Sequence, residues 1–323
     1  MDEFQKPVLV ISRCLGFDNC RYNGQKLQDE FVDQIKKYAR IINVCPESDI
    51  GLPTPRNSLR LVQENKESDL RVYQPENDID YTEEMTDYIN EFLNNLEQVA
   101  GFILKNRSPT CAIRDAKIYN AKNGVPSRKG PGIFTKMIKE KFPDAVMEDE
   151  GRLTNFRIRE DFLSKIYMKA DFNNIKKSRE MANLIDFQSR NKYLLLTFNE
   201  EEMRKLGRIT ANHEQKEDSE VFKTYEKHLD KALNGKSSYT KNINVLMHGL
   251  GYFKDKVESK EKKFFLKQLD KYRGNKVPLS VPLNIMKNWI IKYDIDYLKQ
   301  QSFFEPYPEE LTYLKDSAKN QRN

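Results

Sequence analysis

Pro7-Val8-Leu9-Val10-Ile11-Ser12, with Cys14 two residues further on, is the stretch on which the fold turns. A short apolar run without polar alternation reads as a strand buried on both faces, the usual state of a strand in a parallel sheet. Two similar runs follow, Ile41-Ile42-Asn43-Val44 and Val99-Ala100-Gly101-Phe102-Ile103-Leu104. Helical spacing separates them: Leu27, Phe31, Ile35 and Tyr38 over 27–39, then Met85, Ile89, Phe92 and Leu96 over 81–96. Strands alternating with helices predict βαβ units and a mainly parallel sheet flanked by helices. Residues 63–80 are polar and irregular, and are expected to form a surface excursion.

Beyond about residue 156 the pattern is almost wholly helical, with helices expected near 158–170, 176–192, 199–210, 218–235, 239–270 and 279–302. The fold class is therefore α/β for residues 1–157, followed by an all-α domain over 158–323. A chain of 323 residues suits two domains of ordinary size. No segment approaches the roughly 18 apolar residues of a membrane span. The opening Met1-Asp2-Glu3-Phe4-Gln5-Lys6-Pro7 carries acids and no long apolar run, so a secretory signal is not expected. The expected location is cytoplasmic, where four cysteines serve as metal ligands or reactive thiols rather than disulfides. The oligomeric state is not legible.

Charge divides unevenly. Residues 161–323 hold 31 Lys/Arg against 23 Asp/Glu, a net of +8, while residues 1–160 hold 24 against 26, a net of −2. All four cysteines lie in the first half, and His213, His228 and His248 all lie in the second. A basic module beside a near-neutral, cysteine-bearing one suggests a polyanion binder joined to a catalytic unit. The plainer alternative is a set of soluble Lys-rich helices.

Cys14 follows the first strand, Cys45 ends the second, and Cys111 lies in the loop after the third. In an open parallel sheet the loops leaving the carboxyl ends of the strands converge on one edge, where ligands bind. Three loop thiols with Pro or Gly nearby suit a soft metal or a cluster. They equally suit small buried hydrophobes at strand ends, since no gap is a Cys-x-x-Cys pair. Cys20, six residues after Cys14, either reaches the same edge or faces away.

Three segments carry a resemblance. They are Ser12-Arg13-Cys14-Leu15 through Cys20-Arg21-Tyr22-Asn23-Gly24, then Cys45-Pro46-Glu47 through Gly51-Leu52-Pro53-Thr54-Pro55-Arg56, then Ser108-Pro109-Thr110-Cys111. In this order they resemble the TudS family of thiouracil desulfidases over about residues 6–160, and Gly130-Pro131-Gly132-Ile133-Phe134 fits as well. The resemblance implies a 4Fe–4S cluster held by Cys14, Cys45 and Cys111, with one iron lacking a protein ligand. Cys20 stands outside that set. The resemblance also implies that Glu47 and Ser108 act in catalysis. Desulfuration of a thiocarbonyl needs a Lewis acid for sulfur, a base for water and a proton for the ring. The expected course is sulfur binding at the open iron, water attack assisted by Glu47, and release of hydrosulfide without net redox change. Ser108 would orient the base or the sulfur.

Arg56, Lys105 and Arg107 lie close to these motifs and suit a phosphate or base edge, or are solvated charges. The Gly130/Gly132 pair opening a helix is a weak signal for an anion cradle.

In the second half, Arg190-Asn191-Lys192-Tyr193, Leu206-Gly207-Arg208-Ile209, Met247-His248-Gly249-Leu250-Gly251-Tyr252-Phe253 and Lys271-Tyr272-Arg273-Gly274 stand out, with Pro306-Tyr307-Pro308 at the end. Together they resemble YbgA-type helical domains over about residues 165–310. The fusion resembles RudS desulfidases, which implies 4-thiouridine in transfer RNA as substrate and RNA binding by the helical domain. Arg190, Lys192, Arg204, Lys205, Arg208, Lys271 and Arg273 suit phosphates, and Tyr193, Tyr252 and Tyr272 suit stacked bases. The alternative for each is a core aromatic or a wet face. His213 and His248 are expected to satisfy core hydrogen bonds, and Trp289 to be packing.

The function expected is thus an iron–sulfur transfer-RNA 4-thiouridine desulfidase. The alternatives are a desulfidase of free thiouracil or small thiolated bases, and a non-enzymatic cluster- or zinc-containing RNA-binding regulator. Sulfur insertion would need an ATP-activating loop, and no Gly-rich phosphate loop of that kind is present.

Overall fold

A computed structural model describes residues 4–65, 68–122 and 124–312. It has two compact units. One takes in the chain up to Asp171 and the described residues from Pro308, and the other is Phe172–Tyr307. Among the described residues no helix is long and apolar enough to cross a membrane.

In chain order the first unit contains β1 (Val8–Ser12), α1 (Glu30–Ile35), β2 (Arg40–Val44), α2 (Pro46–Asp49), β3 (Arg60–Val62), β4 (Arg71–Gln74) and β5 (Ile79–Asp80). There follow α3 (Thr82–Asn94), β6 (Val99–Leu104), β7 (Ala116–Tyr119), β8 (Pro126–Gly130), α4 (Ile133–Lys141), β9 (Met147–Asp149) and α5 (Glu150–Leu153). Then α6 (Phe156–Ser178) begins. Strands β2-β1-β6-β9 form a parallel sheet in that order. The chain runs outward from β1 to β2 and then crosses to β6 on the other side, so a topological switch point lies between β1 and β6. There the loops diverge and leave a crevice beyond the strand ends. All five residues of β1 are buried, as its unbroken apolar run requires.

One face of this sheet is covered by α3 and α4. Met85, Ile89 and Leu93 of α3 are almost fully buried with Phe134 and Ile138 of α4, around Val10, Phe102 and Leu104. Each such side chain contributes about 1.5–3 kcal/mol by leaving water. On the other face α6 crosses β6 at Gly101, where a Cβ would come within 2.7 Å of Ile166 Cγ2. The sequence reading places a boundary at 157/158. The first unit nevertheless keeps α6 to Asp171, because Ile166 packs on Gly101 and Tyr167 donates to the Tyr38 carbonyl at 3.0 Å.

A second sheet, β5-β4-β3-β7-β8, was not legible in the sequence. It is antiparallel except for the parallel pair β3 and β7. The surface excursion expected at 63–80 contains β4 and β5 of this sheet. Its strands are two to five residues long, too short for a period of two to stand out. In β7, Ala116 and Ile118 are buried in the core, while Lys117 and Tyr119 border a cavity at the ends of the parallel strands.

The second unit takes the end of α6, then α7 (Met181–Phe198), α8 (Glu200–Ala211), α9 (Asp218–Leu233), α10 (Tyr239–Gly251), α11 (Ser259–Arg273), α12 (Ser280–Tyr293) and α13 (Asp296–Lys299). The single helix expected over 239–270 is two, because Glu258 and Glu261 form a capping box that restarts the chain as α11. The one expected over 279–302 breaks at Asp294, which is left-handed with φ 55°. Arg179, with φ 54°, separates α6 from α7, later than the sequence pattern placed the break. Helix α1 is also shorter than the 27–39 expected: Asp29 caps its start by accepting from the Val32 amide at 2.9 Å.

Candidate metal and substrate site

Cys14, Cys20, Cys45 and Cys111 border one cavity of about 720 Å³ at the carboxyl end of β1, β2 and β6. No two of them form a disulfide. Cys14, Cys20 and Cys111 are buried and Cys45 is half-buried.

Each thiol is held by the turn it sits in. Cys45 is the N-cap of α2, with Pro46 at the first helical position, and its carbonyl accepts from the Ser48 and Asp49 amides at 3.0 and 2.9 Å. The Cys45 amide donates to Asp49 Oδ2 at 3.3 Å. Asp49 also accepts from the Tyr88 hydroxyl at 2.6 Å and pairs with Arg13 at 2.7 Å, which ties the turn to α3 and to the loop of Cys14. The Cys14 carbonyl accepts from the Leu27 amide at 2.8 Å, closing that loop. Cys111 follows Ser108, whose hydroxyl oxygen accepts from the Thr110 and Cys111 amides, both at 3.1 Å. The first amides of α4 dock onto this turn: Ile133 donates to Pro109 and Phe134 to Thr110, at 3.1 and 3.0 Å. A Cβ on Gly132 would collide with the backbone of Thr110. That glycine is thus required by close packing. The amides at this helix start are already spent, so the anion cradle considered for Gly130/Gly132 is not present.

Glu47, at the second position of α2, is only 8% exposed and borders the cavity. Arg56 donates to its Oε2 from Nε and Nη2 at 3.0 and 2.6 Å, and Thr110 Oγ1 donates to its Oε1 at 2.7 Å. Arg56 therefore lies against the carboxylate rather than facing a substrate. Thr110, Asp49, Tyr88 and Ser12 are the residues sequence reasoning missed. Thr110 sits inside the Ser108–Cys111 motif, and position alone signalled it. Ser12 accepts from the Lys105 amide at 3.0 Å and hydrogen-bonds the Cys111 thiol. Ser108 also reaches that thiol. Ser108 is not hydrogen-bonded to Glu47 itself; it accepts from the amides of Thr110, which carries the hydroxyl on Glu47, and of Cys111.

The thiols influence one another. A hydrogen bond with Cys14 pushes the Cys20 thiol up to about 11, with burial adding to it. A hydrogen bond with Cys20, then burial, pushes Cys45 well above the usual thiol range. Burial is the main cause for the raised Cys111 thiol, and its neighbours Cys45 and Glu47 oppose a further thiolate beside them. Such a pocket holds neutral thiols until a cation displaces the protons. Among the described residues no three such side chains converge on a single ion position. Soft sulfur donors spread round a cavity instead suit a group with several metal atoms, each thiolate taking a different one. Cys20 shares this pocket, in hydrogen-bond contact with both Cys14 and Cys45.

Charge on the cavity wall is lopsided. Arg13 pairs with Asp49, Arg56 with Glu47 and Lys105 with Glu150. Arg21, Arg60, Arg107, Lys117 and Lys129 also border the cavity and have no carboxylate partner among the described residues. Lys117 and Lys129 stand directly opposite each other across β7 and β8. Like charges in that position repel.

Of the helical-domain residues, Arg190 and Lys192 lie on α7, Arg208 on α8, and Lys271 and Arg273 on α11. Arg190 pairs with Asp186 at 2.9 Å and Arg273 with Asp270 at 3.0 Å. Arg204 and Lys205 likewise pair with glutamates of their own helix. Lys192 and Arg208 are exposed. Tyr193 and Tyr272 are buried, Tyr272 accepting from Asn242 at 2.8 Å, so neither is a stacking platform. Tyr252 is 43% exposed and stacks on Tyr297. His213 and His248 are exposed rather than in the core, and Trp289 is buried between Phe253 and Phe265. His228 meets Glu202 at 2.6 Å.

A family model described as 2-thiouracil desulfurase matches residues 9–150, and one described as a protein of unknown function, DUF1722, matches residues 192–308. The uncharacterized protein YbgA of Escherichia coli (strain K12) is 31% identical over 126 residues, which cover 39% of this chain and 75% of YbgA. The chain belongs to the family of YbgA through its helical part, and its residues 9–150 are similar to the 2-thiouracil desulfurase model. The uncharacterized protein YbbK of Bacillus subtilis (strain 168) is 25% identical over 149 residues, covering 44% of this chain and 97% of that protein. A solved structure of the [4Fe-4S]-dependent thiouracil desulfidase TudS is 26% identical, covers 46% of this chain and 93% of its own, and superposes with a TM-score of 0.37. The desulfurase match takes in all of the parallel sheet but Val8 and all four cysteines, and the YbgA-like match lies within the helical unit but for one residue at its end.

Proposed function

We propose that this protein is an iron–sulfur desulfidase that converts 4-thiouridine in transfer RNA to uridine, releasing hydrosulfide. The observation that carries the reading is one cavity that joins soft sulfur donors, a buried carboxylate and a wall of unpaired cations. A 4Fe–4S cluster bound by Cys14, Cys45 and Cys111 would supply, at an iron without a protein ligand, a soft Lewis acid for the thiocarbonyl sulfur. The chain's own residues supply the rest. Glu47 takes a proton from the water that attacks the thiolated carbon, the carbon–sulfur bond breaks, and sulfur leaves as hydrosulfide. No electrons are gained or lost in this hydrolysis. Ser108 and Ser12 hold the Cys111 sulfur by hydrogen bonds.

Arg21, Arg60, Arg107, Lys117 and Lys129 favour a phosphate-bearing substrate over a free base, which has no anion to meet them. The opposed Lys117 and Lys129 repel each other until an anion sits between or beside them, a local conflict of the kind found at binding sites. The helical domain's net charge of +8 over residues 161–323 supports a polyanion as well.

The test is anaerobic reconstitution of the cluster, addition of thiolated transfer RNA, and measurement of the near-ultraviolet absorbance of 4-thiouridine. Loss of that absorbance with release of hydrosulfide is expected. An intact cluster with unchanged absorbance overturns the reading, and turnover of free thiouracil alone moves it to the small-base alternative.

A further inference from the structure

Arg56 has five N–H donors, and each has an acceptor within the loops around it. Nε and Nη2 meet Glu47, Nη2 also meets the Cys20 carbonyl at 3.0 Å, and Nη1 meets the Pro53 carbonyl and Thr54 Oγ1 at 3.4 and 3.3 Å. Its side chain is 3% exposed. In addition, the Arg56 amide donates to the Tyr22 carbonyl at 2.8 Å. Nothing is left on this guanidinium for a phosphate or a base edge. It joins the loop of Cys20 to the turn of Cys45, and it occupies one oxygen of Glu47 completely. The other oxygen, Oε1, accepts one hydrogen bond from Thr110, which is itself fully buried, and keeps a free lone pair.

We propose that Arg56 and Thr110 are positioning residues that lock the Glu47 carboxylate in a single orientation, leaving Oε1 as the oxygen that takes the proton from water. This rests on the reading of Glu47 as the base. A glutamate has three rotatable side-chain bonds, and freedom about them inside a cavity would spread its oxygens over several ångströms. A misplacement of about 1 Å can lower a rate about a hundredfold. The Arg56 fork fixes the plane of the carboxylate from one side and the Thr110 hydroxyl from the other. Lysine cannot replace Arg56, because a single ammonium has no fork and cannot reach the Cys20 carbonyl and Glu47 in the same geometry.

Thr110→Val, Thr110→Ser, Arg56→Lys and wild type are compared in two measurements. The first is steady-state turnover of thiolated transfer RNA by the reconstituted enzyme, with iron content measured alongside. Thr110→Val should lower kcat by about tenfold to a hundredfold with KM and iron content unchanged, and Thr110→Ser, which keeps the hydroxyl, should restore most of the loss. Arg56→Lys, which keeps the charge, should lower kcat to a similar extent. The second measurement is amide hydrogen exchange on the cluster-free protein. Peptides covering 18–24 and 45–51 should exchange faster in Arg56→Lys than in wild type, and peptides of α3 should not change. Full kcat in both Thr110→Val and Arg56→Lys overturns the proposal, as does exchange in Arg56→Lys identical to wild type. If wild type itself turns over no thiolated substrate, the functional reading fails, and the exchange measurement alone then decides whether Arg56 is the clasp.

Discussion

The two units treat charge in opposite ways. The first half of the chain has a net charge of −2, yet its cavity wall gathers five cations that have no carboxylate partner among the described residues. The second half has a net charge of +8, yet Arg190, Arg204, Lys205 and Arg273 are each neutralised by an acid three or four residues away on the same helix. Exposed helical pairs of this kind are worth only a few tenths of a kcal/mol. They nevertheless occupy the cation's best geometry, so a phosphate must compete for it. Net charge describes long-range attraction, while the pattern of unpaired charge describes where an anion comes to rest.

Several substitutions break or sharpen this contrast. The largest effect is expected in the thiol pocket. Cys45→Ser or Cys111→Ser should abolish retention of iron and of visible absorbance, and with them turnover. Glu47→Gln should retain the absorbance while kcat falls by about a hundredfold or more, the range for loss of a general base. An active Glu47→Gln enzyme would remove Glu47 from the chemistry. Next come the wall lysines. Replacing Lys117 and Lys129 together with Ala should weaken binding of transfer RNA and reduce the slope of log affinity against log salt by about 1 per residue. Thermal stability should not fall, because the substitution also relieves a like-charge pair. Smaller still, Lys192→Ala and Arg208→Ala should each weaken RNA binding by about twofold to fivefold, and Arg190→Ala and Arg273→Ala by less, since those two are already paired. The reverse order would show that in-helix pairing does not decide which cations meet RNA.

The smallest effect is on stability. The Cys20 thiol is raised from 9.0 to about 11 in the folded, cluster-free protein, so the unfolded chain loses this proton first as pH rises. Below pH 9 the contribution is fully present, and between pH 9 and about 11 it is lost. The melting temperature of cluster-free protein should therefore fall across that window, where the raised Cys45 and Cys111 thiols act in the same direction, and Cys20→Ser should make the fall less steep.

Much of the first domain was legible because its signals are local and strong. The runs at Val8, Ile41 and Val99 lie within a residue of where the strands form; those at Val8 and Val99 are buried as their apolar runs require, whereas the edge strand β2 is only half-buried, with Arg40 and Asn43 exposed. Cys14, Cys45 and Cys111 fall at strand ends for the same reason, and their convergence follows from parallel topology. The second sheet was hidden because its strands are short and one face is wet, and nothing in the sequence set Lys117 and Lys129 apart from other lysines. In the helical domain, helix content was legible but breaks were not. A single residue such as Asp294 or Arg179 can turn left-handed within an otherwise helical pattern, at a cost that surrounding packing offsets.

By itself the sequence determined the α/β-then-helical order, the parallel sheet and the three thiols Cys14, Cys45 and Cys111 at its carboxyl edge, while Cys20 stayed open, because periodicity and motif spacing are properties of neighbouring residues. Only the tertiary structure decided what Glu47 meets. Arg56 is nine residues away in sequence and Thr110 is sixty-three, and no spacing rule connects them. Their meeting depends on three loops leaving the sheet beside its switch point, and on α4 docking its first amides onto the turn of Cys111. The same holds for the lysines of β7 and β8, whose charge became informative only once the fold set Lys117 opposite Lys129.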